Sequence, residues 1–289
     1  MAETDNNIFR RLEEEGKKKG IPTRLLKFYQ RLFHIQSRTE KLIVSLPKLG
    51  LSSEAISKRG NQSLPLVNFD ELALDWPLLQ AVFAEITATF TDYTDLFGEL
   101  PKSLSETKPQ PSLLKKVVKA WFMRTRLPAT IAVDNINEYL LLEAIIHATI
   151  RPFLVSNFKA LINMIDLERW RHTYCPICGS RPDFAFLDKE RGARFLVCSR
   201  CDTEWLFQRL QCPYCGTQNQ DDLAYFTNDE GVYRLYVCER CHKYIKAIDL
   251  RHTKSEVLFQ LERVLTLDLD RQAQEKGYKP DYSEVLTQM

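Results

Sequence analysis

Eight cysteines carry the clearest chemical signal in this sequence of 289 residues, because all of them fall into four Cys-x-x-Cys pairs. A Cys-x-x-Cys turn places two sulfur atoms on one side of a tight loop, where both can bind the same ion. Two such turns together supply the tetrahedral four-sulfur set that suits zinc, a single iron ion or an iron–sulfur centre. The candidate metal ligands are Cys175, Cys178, Cys198, Cys201, Cys212, Cys215, Cys238 and Cys241.

The spacing of the pairs predicts which cysteines share an ion. Between the first and second pairs lie 19 residues, and between the third and fourth pairs lie 22 residues. Each gap has about the length of one β-hairpin, as in zinc ribbons. We therefore predict one site from the first two pairs and another from the last two. Gly179 and Gly216 follow the first pair of each site and predict the left-handed backbone that such turns require.

Two other interpretations of the cysteine pairs remain open at this stage. One is a dithiol redox pair or disulfide, although a thioredoxin-type pair begins a helix after a strand and no βαβ pattern surrounds these cysteines. The other accepts the metal ions but makes them purely structural staples for small sheets. Spacing does not distinguish zinc from iron, since both accept four thiolates in a tetrahedron.

An internal repeat surrounds the cysteines. Each copy has a Cys-Pro-x-Cys-Gly turn, a hairpin, a second cysteine turn and a further strand. The predicted strands are Phe184–Leu187, Phe195–Val197 and Glu204–Leu210 in the first copy, then Leu223–Thr227, Tyr233–Val237 and Tyr244–Asp249 in the second. Trp205 lies between the copies, and we expect it to pack between two small sheets rather than to form an exposed anchor for a partner.

Residues 1–171 are predicted to be helical from apolar residues at helical spacing, with residues 47–69 as a loop. Ser255–Lys276 is predicted to be one amphipathic helix. The fold class is therefore α+β: an α-helical N-terminal domain, two tandem β modules of the zinc-ribbon type and a C-terminal helix. The predicted boundaries are 1–171, 172–210, 211–252 and 253–289.

Charge and apolar pattern limit the partners. Residues 172–252 carry 11 Lys/Arg and 11 Asp/Glu, and eight thiolates with two divalent ions would give this segment a net charge of −4. A negatively charged segment should bind phosphate backbones weakly, because that affinity comes from Lys and Arg side chains. We therefore do not expect nucleic acid as a partner. The sequence contains no run of 18 apolar residues, so we expect no membrane-spanning helix. The first residues lack the apolar core of a secretory signal. We expect a cytoplasmic protein.

Other residues give weaker signals. Five cations on one helix, Lys115, Lys116, Lys119, Arg124 and Arg126, suggest a solvated face, a surface for an acidic partner or a surface for nucleic acid. His172 and His242 flank the cysteine pairs but are not needed as ligands. The sequence has no Ser-His-Asp order, phosphate loop or paired carboxylates in a recognisable context, so we do not expect an enzyme.

The cysteine region resembles the formate dehydrogenase accessory protein family FdhE. The resemblance is carried by four runs over about residues 170–276: Cys175-Pro-Ile-Cys-Gly-Ser-Arg-Pro, Cys198-Ser-Arg-Cys-Asp-Thr-Glu-Trp, Cys212-Pro-Tyr-Cys-Gly and Cys238-Glu-Arg-Cys-His-Lys-Tyr-Ile-Lys. It implies a helical N-terminal region, two rubredoxin-like modules and iron rather than zinc as the first choice of metal. It also implies a non-catalytic assembly factor that binds the catalytic subunit of formate dehydrogenase. The rival hypothesis is a zinc-ribbon protein that binds nucleic acid or a transcription complex, and a thiol–disulfide enzyme is a third.

Overall fold

The computed structural model of the protein describes residues 2–43, 51–101, 110–128, 131, 133, 135–159, 161–165, 167, 169–254 and 256–281. The chain divides into two units, each packed mainly against itself. One unit comprises Met1–Gly50 with Asn68–Lys159, and the other comprises Leu51–Val67 with Ala160–Met289. A short segment of the N-terminal half therefore belongs to the unit that contains all of the cysteines.

Helices dominate the first unit, and three of them show why they begin or end where they do. The helices of this unit are α1 Ala2–Lys18, α2 Thr23–Ile43, α4 Trp76–Thr91, α5 Thr94–Phe97, α6 Pro111–Met123 and α7 Ile136–Phe158. The second unit contains α3 Ser53–Asn61, α8 Phe259–Leu265 and α9 Leu267–Glu275. Helix α1 is followed by Gly20 at φ 70°, which only glycine adopts easily. The side chains of Asp75 and Asn135 cap α4 and α7 by accepting hydrogen bonds from backbone amides.

Helix α7 is the centre of the first unit, where it packs against α2 and α4. Leu142, Ile145 and Phe153 on this helix have no exposed surface. By length and composition α7 is the one described helix that could cross a membrane, but 67% of its apolar window is buried inside the protein. The apolar composition of α7 is therefore accounted for by its central position in the helical unit.

The second unit is built on one mixed sheet of six strands. The strands are β1 Pro182–Leu187, β2 Arg194–Cys198, β3 Glu204–Leu206, β4 Leu223–Thr227, β5 Tyr233–Cys238 and β6 Lys243–Asp249. Their order in the sheet is β3-β2-β1-β6-β5-β4. The predicted hairpins are present, and the two copies of the repeat join edge to edge. The joining pair is β1 with β6, which run parallel with Phe184 opposite Lys246 and Leu187 opposite Asp249.

Two helical predictions need correction. The predicted loop 47–69 contains α3, because the Ser52 side chain accepts a hydrogen bond from the Ala55 amide and starts a helix there. The predicted single helix over 255–276 is two helices, α8 and α9, which are separated at Thr266. The Thr266 hydroxyl donates to the Glu262 carbonyl at 2.7 Å, and its backbone has φ −118°, so the regular helix ends at this residue.

A buried carboxylate fixes the end of β6. Asp249 has no exposed surface. It accepts hydrogen bonds from Arg234 at 2.7 Å and from Arg251 at 2.7 and 2.9 Å. Burial alone would raise the pKa of Asp249, but the hydrogen bonds and charges of the two arginines outweigh burial and lower the pKa to about 2. Asp249 is therefore ionised at neutral pH and ties β6 to β5.

We expect Asp249→Asn to lower the free energy of unfolding of the second unit by about 3–5 kcal/mol, because the partly buried Arg234 loses its charged partner. A carboxylate with a lowered pKa stabilises above its unfolded pKa of about 3.9, and this contribution is lost as the pH falls toward about 2. The difference between wild type and variant should therefore narrow below about pH 4 in denaturant titrations. Asp229→Asn, in the exposed turn between β4 and β5, is the control and should change stability little. An equal loss in both variants would contradict this account of Asp249.

Candidate metal centres

Each cysteine pair lies on a tight turn whose backbone is set by the residue after the second cysteine. In the first turn the Gly179 amide donates to the Cys175 carbonyl at 3.0 Å, and in the third the Gly216 amide donates to the Cys212 carbonyl at 3.1 Å. Gly179 and Gly216 have φ of 72° and 75°, which is the predicted left-handed backbone.

The second and fourth turns have the same backbone without glycine. Asp202 and His242 follow these pairs with φ of 56° and 52°, and their amides donate to the carbonyls of Cys198 and Cys238. All four turns are therefore built alike. The sequence did not reveal this likeness, because a non-glycine residue gives no local sign of a left-handed backbone.

The turns bring the eight cysteines into the two predicted groups. The first group contains Cys175, Cys178, Cys198 and Cys201, and the second contains Cys212, Cys215, Cys238 and Cys241. Within each group all four sulfur atoms lie within 4.8 Å of one another. The sulfur atoms of Cys178 and Cys198 lie 3.5 Å apart, and in the second group the Cys212–Cys241 and Cys215–Cys238 pairs are each separated by 3.7 Å.

These separations fit a tetrahedral metal ion. Four sulfurs bound at about 2.3 Å to one ion would lie about 3.8 Å apart. A disulfide would instead require about 2.05 Å between sulfurs. Backbone amides also point at the sulfurs, since Ile177, Arg200 and Tyr214 each donate to a cysteine sulfur at 3.4 Å. Each group therefore has the ligand type, number and spacing to hold one ion, and the geometry suits zinc and iron equally.

Electrostatics in the first group also indicates that it is built for a cation. Burial raises the pKa of Cys175 and Cys201. Burial alone would also raise the pKa of Cys178, but hydrogen bonds from the three neighbouring thiols outweigh burial and lower it. A raised pKa disfavours the thiolate form of Cys175 and Cys201, and a lowered pKa favours that of Cys178. A bound divalent ion displaces the thiol protons and stabilises the thiolate form of its ligands.

The first group is enclosed by the segment Ser63–Val67, which we name the cover segment. Its Leu66 and Val67 amides donate to the carbonyls of Pro176 and Ile177, the two residues between the first two cysteines, at 2.9 and 3.0 Å. The Tyr174 hydroxyl donates to the Ser63 carbonyl at 2.7 Å. All four cysteines of this group are buried, so solvent has little access to an ion held there.

A second support of the first group comes from the C-terminal helices. Arg263 on α8 is paired with Asp183 at 2.7 Å and with Asp202 at 2.8 Å. Its guanidinium also donates to the Cys198 carbonyl at 3.0 Å. Helix α8 is thereby fastened to the second turn of this group.

The second group is open by comparison. Cys215 is exposed and Cys241 is partly exposed, while Cys212 and Cys238 are buried. Burial raises the pKa of Cys212 to about 11. Thus the two groups share their turns and sulfur spacing but differ in access from solvent.

The other residues singled out from sequence lie outside both groups. Trp205 has no exposed surface and donates from its indole nitrogen to the His172 carbonyl at 3.0 Å. Its predicted burial is confirmed and the exposed-anchor interpretation is wrong, but it lies on β3 of a single sheet and not between two sheets. The imidazole of His172 stacks on Tyr174. The backbone of His242 completes the fourth cysteine turn, where its amide donates to the Cys238 carbonyl. Neither histidine belongs to a cysteine group.

The five predicted cations on α6 and just after it are exposed. Two of them have partners within the helical unit. Lys119 pairs with Asp70 at 2.8 Å, and Lys115 lies 5.6 Å from the centroid of the Trp76 ring.

Sequence reasoning missed Arg194, which is 2% exposed on β2 and lines a pocket with Cys212 and Cys238. A signal was present, because an arginine at the start of the apolar run Arg194-Phe-Leu-Val-Cys is unusual for a buried strand.

A protein of Aquifex aeolicus named "Protein FdhE homolog" is 31% identical to this chain over 284 residues, which are 94% of each protein. The chain belongs to the FdhE family. The family pattern "FdhE, central domain" matches residues 174–209, which contain the first cysteine group. A "Protein FdhE homolog" of Haemophilus ducreyi is 36% identical over 113 residues, 37% of this chain and 35% of that protein.

The fold is also shared with a solved structure. The crystal structure of the FdhE protein from Pseudomonas aeruginosa superposes with a TM-score of 0.61 and 20% sequence identity, covering 95% of this chain and 92% of that one. The fold described above, with its helical part, six-stranded sheet and C-terminal helices, is therefore one already seen in an FdhE protein.

We expect Gly179→Ala to destabilise this FdhE-family chain more than Gly216→Ala does. Both glycines have a positive φ, so alanine at either position should cost about 1–2 kcal/mol in backbone strain. At Gly179 a new Cβ would also lie 2.8 Å from the Cγ of Pro65 in the cover segment, whereas at Gly216 the nearest group is Gln211 at 3.9 Å. Thermal unfolding measures the difference. Equal losses would show that the cover segment does not press on the first turn.

We expect the second group to lose its metal ion before the first when the loaded protein meets an excess of a chelator. A chelator can reach the second ion past the exposed Cys215, whereas all four cysteines around the first ion are buried. Release should therefore be biphasic. Alkylation of the protein after the fast phase, followed by mass spectrometry, should label the cysteines of the second group only. Simultaneous labelling of Cys178 and Cys215 would contradict the inferred difference in access.

Proposed function

We propose that this FdhE-family chain is a non-catalytic maturation factor for formate dehydrogenase that binds the enzyme's catalytic subunit in the cytoplasm. It carries one metal ion in each of its two four-cysteine groups. The observation that carries the proposal is that likeness to an FdhE homolog extends over 94% of both chains, while all eight cysteines meet in two complete groups. Both the architecture and the sites that the family resemblance implies are therefore intact.

Iron is the first choice of metal, on grounds of the resemblance to rubredoxin-like modules, and zinc is the alternative. Cys175, Cys178, Cys198 and Cys201 would hold one ion, and Cys212, Cys215, Cys238 and Cys241 the other. Iron in a four-thiolate site can gain or lose one electron, whereas zinc cannot. The protein itself supplies the sulfur tetrahedron, the amides that donate to it and the exclusion of water from the first group.

The two groups suit different parts of this role. The first is enclosed by the cover segment and fastened to α8, which suits an ion that stays in place and holds the fold. The second exposes Cys215, so a client surface can approach its ion. We assign the contact with the dehydrogenase to the face that carries the second group.

The rival function, binding to nucleic acid, has less support. Its main feature is the row of cations on α6, two of which are already engaged by Asp70 and Trp76. Nucleic-acid binding would be tight and would weaken steeply with salt. A binding titration with duplex DNA and with RNA at two salt concentrations separates the functions, because the maturation factor should bind neither tightly.

We expect protein purified anaerobically from iron-replete cells to contain two metal ions per chain. With iron, the thiolate-to-ferric absorption bands should bleach on reduction, while zinc would leave the protein colourless. Metal analysis with absorption spectroscopy gives the answer. A chain free of metal, with reactive thiols, would support a thiol–disulfide enzyme instead.

Cells that lack this chain should have little formate dehydrogenase activity, and the wild-type chain should restore it. Cys215→Ser should fail to restore activity although the protein folds, because it removes a ligand at the accessible centre. Asp229→Asn, on an exposed turn of the same hairpin, should restore activity fully. Normal dehydrogenase activity in cells without the chain, or no co-purification with the catalytic subunit, would overturn the proposed function.

A further inference from the structure

A buried arginine next to the second cysteine group has no carboxylate partner. Arg194 is 2% exposed, and among the described residues no Asp or Glu forms an ion pair with it. Burial lowers the pKa of Arg194 to about 10, so the guanidinium remains charged at neutral pH. A charge in the protein interior is strongly unfavourable unless a group of opposite sign lies close to it. Arg194 therefore requires an anion that is not a carboxylate of the described chain.

The hydrogen bonds of Arg194 lead to the second cysteine group. One guanidinium nitrogen, Nη2, donates to the carbonyl oxygens of Gln208 and Gln211. These residues belong to the loop that runs from β3 to Cys212. The guanidinium carbon also lies 5.4 Å from the centroid of the Phe207 ring. An arginine of the first copy of the repeat thus holds the loop that positions a ligand of the second copy.

Arg194 and two cysteines of the second group line the same small pocket. Arg194, Cys212 and Cys238 all line it, and no carboxylate lies among its described lining residues. Lys243 also lines it but is already paired with Asp281 at 2.8 Å. The Nε of Arg194 has no hydrogen-bond partner among the described residues. The thiolates of the second group are therefore the anions that this pocket offers to the guanidinium.

We infer that Arg194 is the positioning residue and the countercharge of the second metal centre. Four thiolates around a divalent ion carry a net charge of −2, and a buried cation nearby lowers the energy of that charged state. Loss of the cation should therefore weaken metal binding at the second centre and leave the first unchanged. This inference rests on metal binding by the second group, but not on the identity of the client enzyme.

The test uses the full chain loaded with cadmium-113, whose nuclear resonance gives one signal for each four-sulfur centre. Cys215→Ser assigns the signal of the second centre. Competition with a chelator at constant pH then measures the affinity of each centre in Arg194→Gln, Arg194→Lys and Arg209→Gln. Glutamine keeps a hydrogen-bond donor without the charge, and lysine keeps the charge without the planar fork. Arg209 lines the same pocket but is exposed, so it serves as the matched control.

We expect Arg194→Gln to reduce cadmium affinity at the second centre by about 10–100-fold, the usual effect of removing a group that supports metal ligands. The signal of that centre should shift, and the first centre should keep its signal and affinity. Arg194→Lys should recover most of the affinity, and Arg209→Gln should behave like wild type. If Arg194→Gln does not fold, the cadmium affinity of the second centre in Arg194→Lys still tests whether a positive charge at this position is sufficient.

Two results would overturn the inference while leaving metal binding intact. The first is an equal loss of cadmium affinity in the glutamine and lysine variants, which would show that Arg194 acts only through its hydrogen bonds to the loop before Cys212. The second is wild-type affinity in both variants. If wild-type protein gives no cadmium signal from the second group, both this inference and the metal-centre part of the proposed function fail. Dehydrogenase activity in cells is measured separately, so a failure there does not decide the role of Arg194.

Discussion

Four thiolates within 5 Å of one another repel so strongly that they require a cation between them. The sheet of the second unit depends on this constraint. Its strands are short, from three residues in β3 to seven in β6, and short strands with little core are weakly stable alone. An ion that binds two turns holds the ends of a whole hairpin, so metal binding stabilises the fold of this unit.

The repeat produces two similar sulfur tetrahedra, and the surroundings make them different. At the first, the cover segment and Arg263 close the site from two sides, so that every ligand is buried. At the second, Cys215 and Cys241 are accessible to solvent, and Arg194 from the first copy lines a pocket with the other two cysteines. Under the proposed function, the enclosed ion would stabilise the fold and the more accessible ion would face the client.

Sequence reasoning predicted what local chemistry determines. The cysteine pairs, their grouping, the hairpins and the left-handed glycines at Gly179 and Gly216 follow from spacing and from backbone sterics. What it missed depends on distant partners. The cover segment resembles a loop in composition, and only its contact with the first turn reveals its role. The parallel pair of β1 with β6 joins strands far apart in sequence, and no local pattern specifies such a pair.

That parallel pair has a consequence for how the chain is made. The strand β1 leaves the ribosome before β6 exists, so one of its edges must wait unpaired until residues 243–249 have been synthesised. An apolar edge left open during synthesis invites pairing with other chains. The first metal ion can bind before that, because its four cysteines precede the second copy of the repeat. Early metal capture would then hold the first hairpin in register on the nascent chain while the rest of the sheet is still being translated.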